Sequence, residues 1–355
     1  MRRRSVLQNV AFVTVGDTGR LTGGYLYHRR ILAGLREEGI EVEEVVASGA
    51  SPAEQETAAR LGFRLDPRCF DVIVVDALAR IVCAPWLDRW REARPVVAMV
   101  HELPSVASGD HEAARERKLE EPLLRSDRLI AVSEHGRSLL QSRGVPAGRI
   151  HVVAPGFDRF SPSDASGETS VGDDVRVLCV AQWIPRKGIL DLVRAWAARE
   201  RSEAVLEFIG ETDADPAYVS SVRSAIAGSS SASITVRGPV DDTKLAAAYA
   251  AADLFALPSR YEGYGIVYAE ALAHGLPIIA CDVGPVPDLV GKEAALLVPP
   301  GDIGTLSGTL DLLLGAPALR RRMSAAARQR ADHLPCWKDT VAAFRLALEE
   351  VTLAP

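Results

Sequence analysis

The sequence is short of several features that would settle its class at once. Cysteine is scarce and odd in number: five in 355 residues, at positions 69, 83, 179, 281 and 336, with no C-x-x-C pair. That spacing excludes a disulfide framework and a cysteine-held structural zinc, and it predicts a reducing, cytoplasmic setting. Long apolar runs are missing too. None approaches the roughly 18–20 residues of a membrane-spanning helix, so no transmembrane segment is expected, while peripheral contact with a membrane surface stays open. The arginines at positions 2–4 could open a secretory leader, but Gln8 and Asn9 interrupt the run that follows and no small-residue cleavage pattern ends it. A first strand is the better reading. Excess positive charge is also lacking. The net charge is −6; residues 1–155 carry 22 basic and 21 acidic side chains, and the remainder 19 and 26. Neither half has the basic surplus of a nucleic-acid binder.

What is present is an ordinary globular composition, 48% hydrophobic and 25% charged, on a chain longer than one hydrophobic core usually serves. Two domains follow. Short apolar runs alternate with helical patterns throughout, as in βα units around parallel sheets. In the first half, strands are predicted near Val10–Val15, Val42–Ala47, Val72–Asp76, Val96–Val100, Leu129–Ser133 and His151–Ala154. A second series follows near Val175–Ala181, Val205–Gly210, Ile234–Arg237, Leu254–Leu257, Ile278–Cys281 and Ala295–Val298. Between the two, Ser161–Ser170 is polar, small and aperiodic, which reads as a linker. The expected organisation is a Rossmann-like domain over 1–160, a linker over 161–172 and a second such domain over 173–335. A C-terminal helix over 336–355 caps the second domain or crosses back to the first. Doubly wound sheets bind ligands outside their strand C-terminal ends.

The chemistry concentrates in one segment, P-S-R-Y-E-G-Y-G-I-V-Y-A-E-A-L-A-H-G-L-P over 258–277. It follows a strand and becomes a helix that stops at Gly275 with Pro277 beyond. Glu262 stands at the loop-to-helix entry, where free N–H groups favour an anion. Glu270 lies within an otherwise apolar helix, which is costly unless something pairs with it. Gly263 and Gly265 allow close backbone approach, so the segment suits a nucleotide-sugar pyrophosphate. A surface acid plus a buried acid in a private ion pair fits the same spacing. Gln182-Trp-Ile-Pro-Arg186-Lys187-Gly188 sets two cations at a strand-to-helix turn, able to neutralise a diphosphate or simply to face water. The loop Gly16–Tyr25 contains Gly23 and Gly24 but does not fit G-x-G-x-x-G, so the dinucleotide fingerprint is absent. His101 ends the strand Val96–Val100; a lone strand-end histidine is more often structural. Ser133-Glu134-His135 lacks the elbow of a serine hydrolase. Asp213-Ala-Asp215 reads as a helix-start loop, and no His/Asp/Glu spacing predicts a metal site.

The segment E-G-Y-G-I-V-Y-A-E-A-L-A-H-G-L-P, two glutamates separated by seven residues, resembles the donor-site signature of the retaining family 4 glycosyltransferases of GT-B fold. The likeness continues in order through 22–35, 101–104, 129–140, 152–162, 178–196, 238–259 and 276–290. It implies two Rossmann-like doubly wound domains facing each other across a cleft, and transfer of a sugar from a nucleoside-diphosphate donor with retention and without a metal. The acceptor would be a small molecule, a glycan or a lipid-linked molecule. By that resemblance Glu270 would bind the ribose and Glu262 the donor sugar. Backbone amides at Gly265, Ile266 and Val267 would hold the diphosphate, with Lys187 as its cation. Gly23 and Gly24 would face it, and His101 would lie beside the donor sugar. One departure stands out: Gln182 occupies the place of a family arginine, and Arg186 does not align with it, so Arg186 either substitutes or is uninvolved. Rival readings are a nucleotide-sugar epimerase or sugar phosphorylase on the same scaffold, and a non-catalytic nucleotide-sugar-binding protein.

Overall fold

The computed structural model describes residues 7–16, 18–19, 22–49, 51–61, 65–107, 110–157, 174–199, 204–229 and 233–353. The chain divides into two compact units. The first comprises Met1–Arg20, Gly24–Gly156 and Pro335–Pro355; the second comprises Leu21–Gly23 and Phe157–Leu334. The predicted linker over 161–172 lies outside the described residues.

The first unit carries β1 (Asn9–Val15), β2 (Glu41–Ala47), β3 (Val72–Asp76), β4 (Val96–Val100), β5 (Arg128–Ala131) and β6 (Ile150–Val152). They form one sheet in the order β2-β1-β3-β4-β5-β6, and every pairing is parallel. All residues of β3 and β4 are buried, because helices cover both faces and the sequence supplies Val, Ile, Ala and Met at every position but the last of β3, Asp76. β5 stops short of the predicted Ser133. Ser133 instead caps the helix Glu134–Ser142, its Oγ accepting the Gly136 N–H at 3.0 Å, a role serine fills well.

The helix Trp337–Thr352 belongs to this unit. Trp337 meets Tyr27 edge-on, Thr340 Oγ1 donates to the Ala154 carbonyl at 2.9 Å and Arg345 pairs with Glu38 at 2.7 Å. Gly34 gives the helix room, since a Cβ there would collide with Val341.

The second unit carries β7 (Val175–Val180), β8 (Ala204–Ile209), β9 (Ile234–Gly238), β10 (Leu254–Leu257), β11 (Ile278–Cys281) and β12 (Ala295–Val298). Its parallel sheet runs β12-β11-β10-β7-β8-β9. Counted from β7, this is the 3-2-1-4-5-6 order of dinucleotide-binding sheets, and the order reverses between β7 and β10. That switch point leaves a crevice at the C-terminal ends of two adjacent strands. The two loops that leave it are the two cation- and glutamate-bearing segments singled out above.

Candidate active site

The loop after β7 and the loop after β10 are pressed together by a glycine. Gly188 adopts φ +66°, and a Cβ there would overlap the Pro258 carbonyl, so only glycine gives both the left-handed turn and the close approach. Arg260 N–H donates to the Arg186 carbonyl at 2.7 Å. Arg260 is itself clamped, its Nε and Nη2 bonding Asp191 Oδ2 at 3.0 and 2.7 Å.

This stitching brings Lys187 to Glu262, with Nζ 2.7 Å from Oε1. Arg186 Nη1 lies 4.0 Å from the other oxygen and donates to the Tyr261 carbonyl at 3.4 Å. Burial pushes the Glu262 carboxyl upward, but Lys187 and Arg186 beside it outweigh that and hold it below its ordinary value. Two cations and one anion leave a local excess of positive charge at the mouth of the switch point.

Gly265, at φ +96°, is the N-cap of the helix Ile266–Ala273. With no side-chain cap hydrogen bond there, the first-turn amides after Gly265 suit an incoming anion. Tyr268 fixes the helix start by donating from its hydroxyl to the Leu257 carbonyl at 2.8 Å. One turn on, Glu270 is half-buried and accepts the Tyr249 hydroxyl at 2.8 Å; His274 stacks on Tyr249. The partner that Glu270 needed is thus a phenol from the helix Asp242–Ala251, and no spacing in the sequence links the two.

Gln182 does not stand alone either: its amide donates to Glu211 Oε2 at 2.5 Å, so the position of the family arginine is tied to an acid just beyond β8. Asp215 caps the helix Pro216–Gly228, accepting from Tyr218 N–H at 3.0 Å.

Gly23, grouped with the second unit, opens the helix Gly23–Glu37, whose other residues belong to the first; neither it nor Gly24 has a positive φ. A Cβ on Gly24 would lie 4.0 Å from the His101 ring. His101 is bound to a residue that sequence reasoning missed: its Nε2 is 2.9 Å from Nε2 of His28. His28 Nε2 lies 3.6 Å from Asp76 Oδ2, which accepts the Thr14 hydroxyl at 2.7 Å. Burial, with Arg29 nearby, brings His28 down to about 3. Burial and His28 bring His101 down to about 4 against the opposing pull of Asp76, while burial raises Asp76 itself.

Among the described residues these three form the one group whose potential metal-ligand atoms all lie within 4.8 Å of one another. Donors around a tetrahedral metal with bonds of about 2.0–2.1 Å stand about 3.3 Å apart. The 2.9 Å between the two histidine nitrogens is a hydrogen bond, with Asp76 Oδ2 standing 3.6 Å from His28 Nε2.

A sequence model described as Glycosyl transferases group 1 matches residues 174–315, and one described as Glycosyltransferase Family 4 matches residues 23–159. A D-inositol 3-phosphate glycosyltransferase of Jonesia denitrificans is 33% identical over 299 residues, 76% of this chain and 69% of that protein. The chain belongs to glycosyltransferase family 4. An MMP alpha-(1->4)-mannosyltransferase of Mycolicibacterium hassiacum is 32% identical over 281 residues, 73% of this chain and 66% of that protein. The chain spans about 62% of the Rhodococcus erythropolis D-inositol 3-phosphate glycosyltransferase, at 33% identity over 72% of its own length.

Among solved structures, sucrose-phosphate synthase from Thermosynechococcus elongatus superposes with a TM-score of 0.80 at 23% identity, over 95% of this chain and 97% of that one. Anabaena HepE in complex with UDP-glucose gives 0.76 at 20% identity, over 98% and 100%. These likenesses establish the GT-B fold, with its two Rossmann-like domains. Among the described residues, no helix is long and apolar enough to cross a membrane.

Proposed function

We propose that this chain transfers a sugar from a nucleoside-diphosphate sugar to an acceptor, with retention of anomeric configuration and without a metal. The observation that carries the reading is the cationic pair Lys187 and Arg186 gathered around Glu262 at the second unit's switch point. The uncapped turn after Gly265 opens beside it. In this reading the diphosphate lies against Lys187 and the amides of Gly265, Ile266 and Val267. Glu270, held by Tyr249, takes the ribose hydroxyls. Glu262 is released from Lys187 toward the donor sugar as the diphosphate claims the lysine.

Charge on the departing diphosphate is then met by groups already in place, which is where catalysis of such a transfer gains most. His101, with Gly24 beside it, is the proposed sugar contact of the first unit, and Gly23 opens the amide turn preceding it. A neutral His101 suits contact with an uncharged hydroxyl, and the leaving phosphate itself takes the acceptor's proton. The setting proposed is the cytoplasm.

UDP-glucose and GDP-mannose, each offered with and without D-inositol 3-phosphate as a first acceptor, form the test. Nucleoside diphosphate release that requires an acceptor, with a product of unchanged anomeric configuration by proton NMR, supports the reading. Donor isomerised without an acceptor, or cleaved only with inorganic phosphate, favours the epimerase or phosphorylase instead.

A further inference from the structure

His28 sits on the buried face of the helix Gly23–Glu37 with Ile31, Leu32 and Leu35. Its Nε2 and that of His101 are 2.9 Å apart, so one carries the hydrogen and the other accepts it. Burial keeps both rings uncharged at neutral pH, which leaves a single proton between them. Two neighbours decide where it sits. Asp76 Oδ2, 3.6 Å from His28 Nε2, faces an N–H there far better than a lone pair; Asp76 is itself oriented by Thr14 and by the Leu78 N–H at 3.1 Å. His28 Nδ1 is buried without a hydrogen-bond partner among the described residues. A buried N–H without a partner is costlier than an unused lone pair. Both place the hydrogen on Nε2 of His28.

We infer that Asp76 and His28 are positioning residues that fix His101 as its Nδ1–H form, so that His101 offers the donor sugar a neutral N–H, for a sugar oxygen, and not a lone pair. The inference rests on the reading of His101 as the sugar contact, but its chemistry lies wholly within the first unit. It assigns His101 a donor role and removes it as a proton acceptor. Its partners Asp76 and His28 would touch no substrate and act only through the ring they orient.

Long-range proton–nitrogen NMR of the labelled full chain at pH 7.5, with the ring signals assigned through His101→Ala, reads the tautomers directly. Expected are a protonated Nδ1 and bare Nε2 for His101, and the reverse for His28. His28→Gln, whose amide can still donate, is expected to keep His101 as Nδ1–H; His28→Leu is expected to release it into a mixture of both forms. A wild-type His101 protonated at Nε2, or a tautomer unmoved by His28→Leu, overturns the inference. Should the leucine variant fail to fold, the wild-type and His28→Gln spectra decide alone. UDP-glucose is then added as a probe: if every nucleotide-sugar tried leaves His101 unperturbed while its Nδ1–H form is seen, the sugar-contact reading fails and the relay stands.

Discussion

Replacing Lys187 with methionine removes the closest cation from a carboxylate that is only 5% exposed. Breaking a buried pair from one side costs about 3–5 kcal/mol, because a charge is left without its counterpart. Arg186, 4.0 Å from the second Glu262 oxygen, retains part of the field, so a loss of about 2–3 kcal/mol is expected. For a unit of this size that corresponds to a melting temperature lower by roughly 4–12 °C.

The sign with pH follows from the charge. In the wild type, Glu262 titrates below its ordinary value; its contribution is complete above about pH 4.3 and fades as pH falls through the lower folded value. Without Lys187, burial dominates and raises the carboxyl, so the variant's deficit is largest at pH 7 and shrinks toward pH 4–5. Differential scanning calorimetry of Lys187→Met, Glu262→Gln and the double variant measures all of this. The double variant should regain most of the lost stability while still failing to bind nucleoside diphosphate tightly. A single-variant deficit under 2 °C, one that does not change with pH, or a double variant no more stable than Lys187→Met would refute the reasoning.

Glu270→Ala should weaken nucleoside diphosphate binding at least tenfold by calorimetric titration, since the ribose contact exists in donor and product alike; unchanged affinity removes Glu270 from that role. Arg186→Ala should lower kcat/KM at least tenfold, as expected for losing a hydrogen bond to a charged group worth about 1.5–3 kcal/mol. Wild-type kinetics would leave the diphosphate to Lys187 and the amides. Exhaustive chelation should leave turnover intact, whereas activity lost to EDTA and restored by manganese or magnesium would contradict a charge-stabilised, metal-independent reaction.

Much of this fold is legible in the sequence because parallel strands buried on both faces are apolar on consecutive residues, as Val72–Val75 and Val96–Val100 are. Their ends are less legible: Ser133 reads as strand until its hydroxyl is seen capping a helix. Lys187 and Glu262 could each be singled out from their turns, but not their 2.7 Å contact, since sequence does not say that a glycine at 188 presses one loop onto the other. The partners of the singled-out residues were missed for a common reason. Tyr249, Glu211, His28 and Asp76 meet their partners across elements, and no spacing rule links positions 28, 76 and 101. A signal for His28 did exist: it lies on the apolar stripe of its helix, in step with Ile31, Leu32 and Leu35. A polar residue there demands a buried partner.

The nucleotide itself offers the sharpest trial. UDP, GDP, ADP and dTDP are each titrated while the melting temperature of the wild type is followed. At about 100 times its dissociation constant a ligand specific to the folded state adds about 2.7 kcal/mol, so one of the four should raise the melting temperature by several degrees. The Lys187→Met/Glu262→Gln variant, whose switch-point loops lack the closest cation, should show little or none of that rise. If none of the four nucleotides stabilises the wild type, or if the double variant responds equally, the second unit's switch point is not a nucleotide-sugar site.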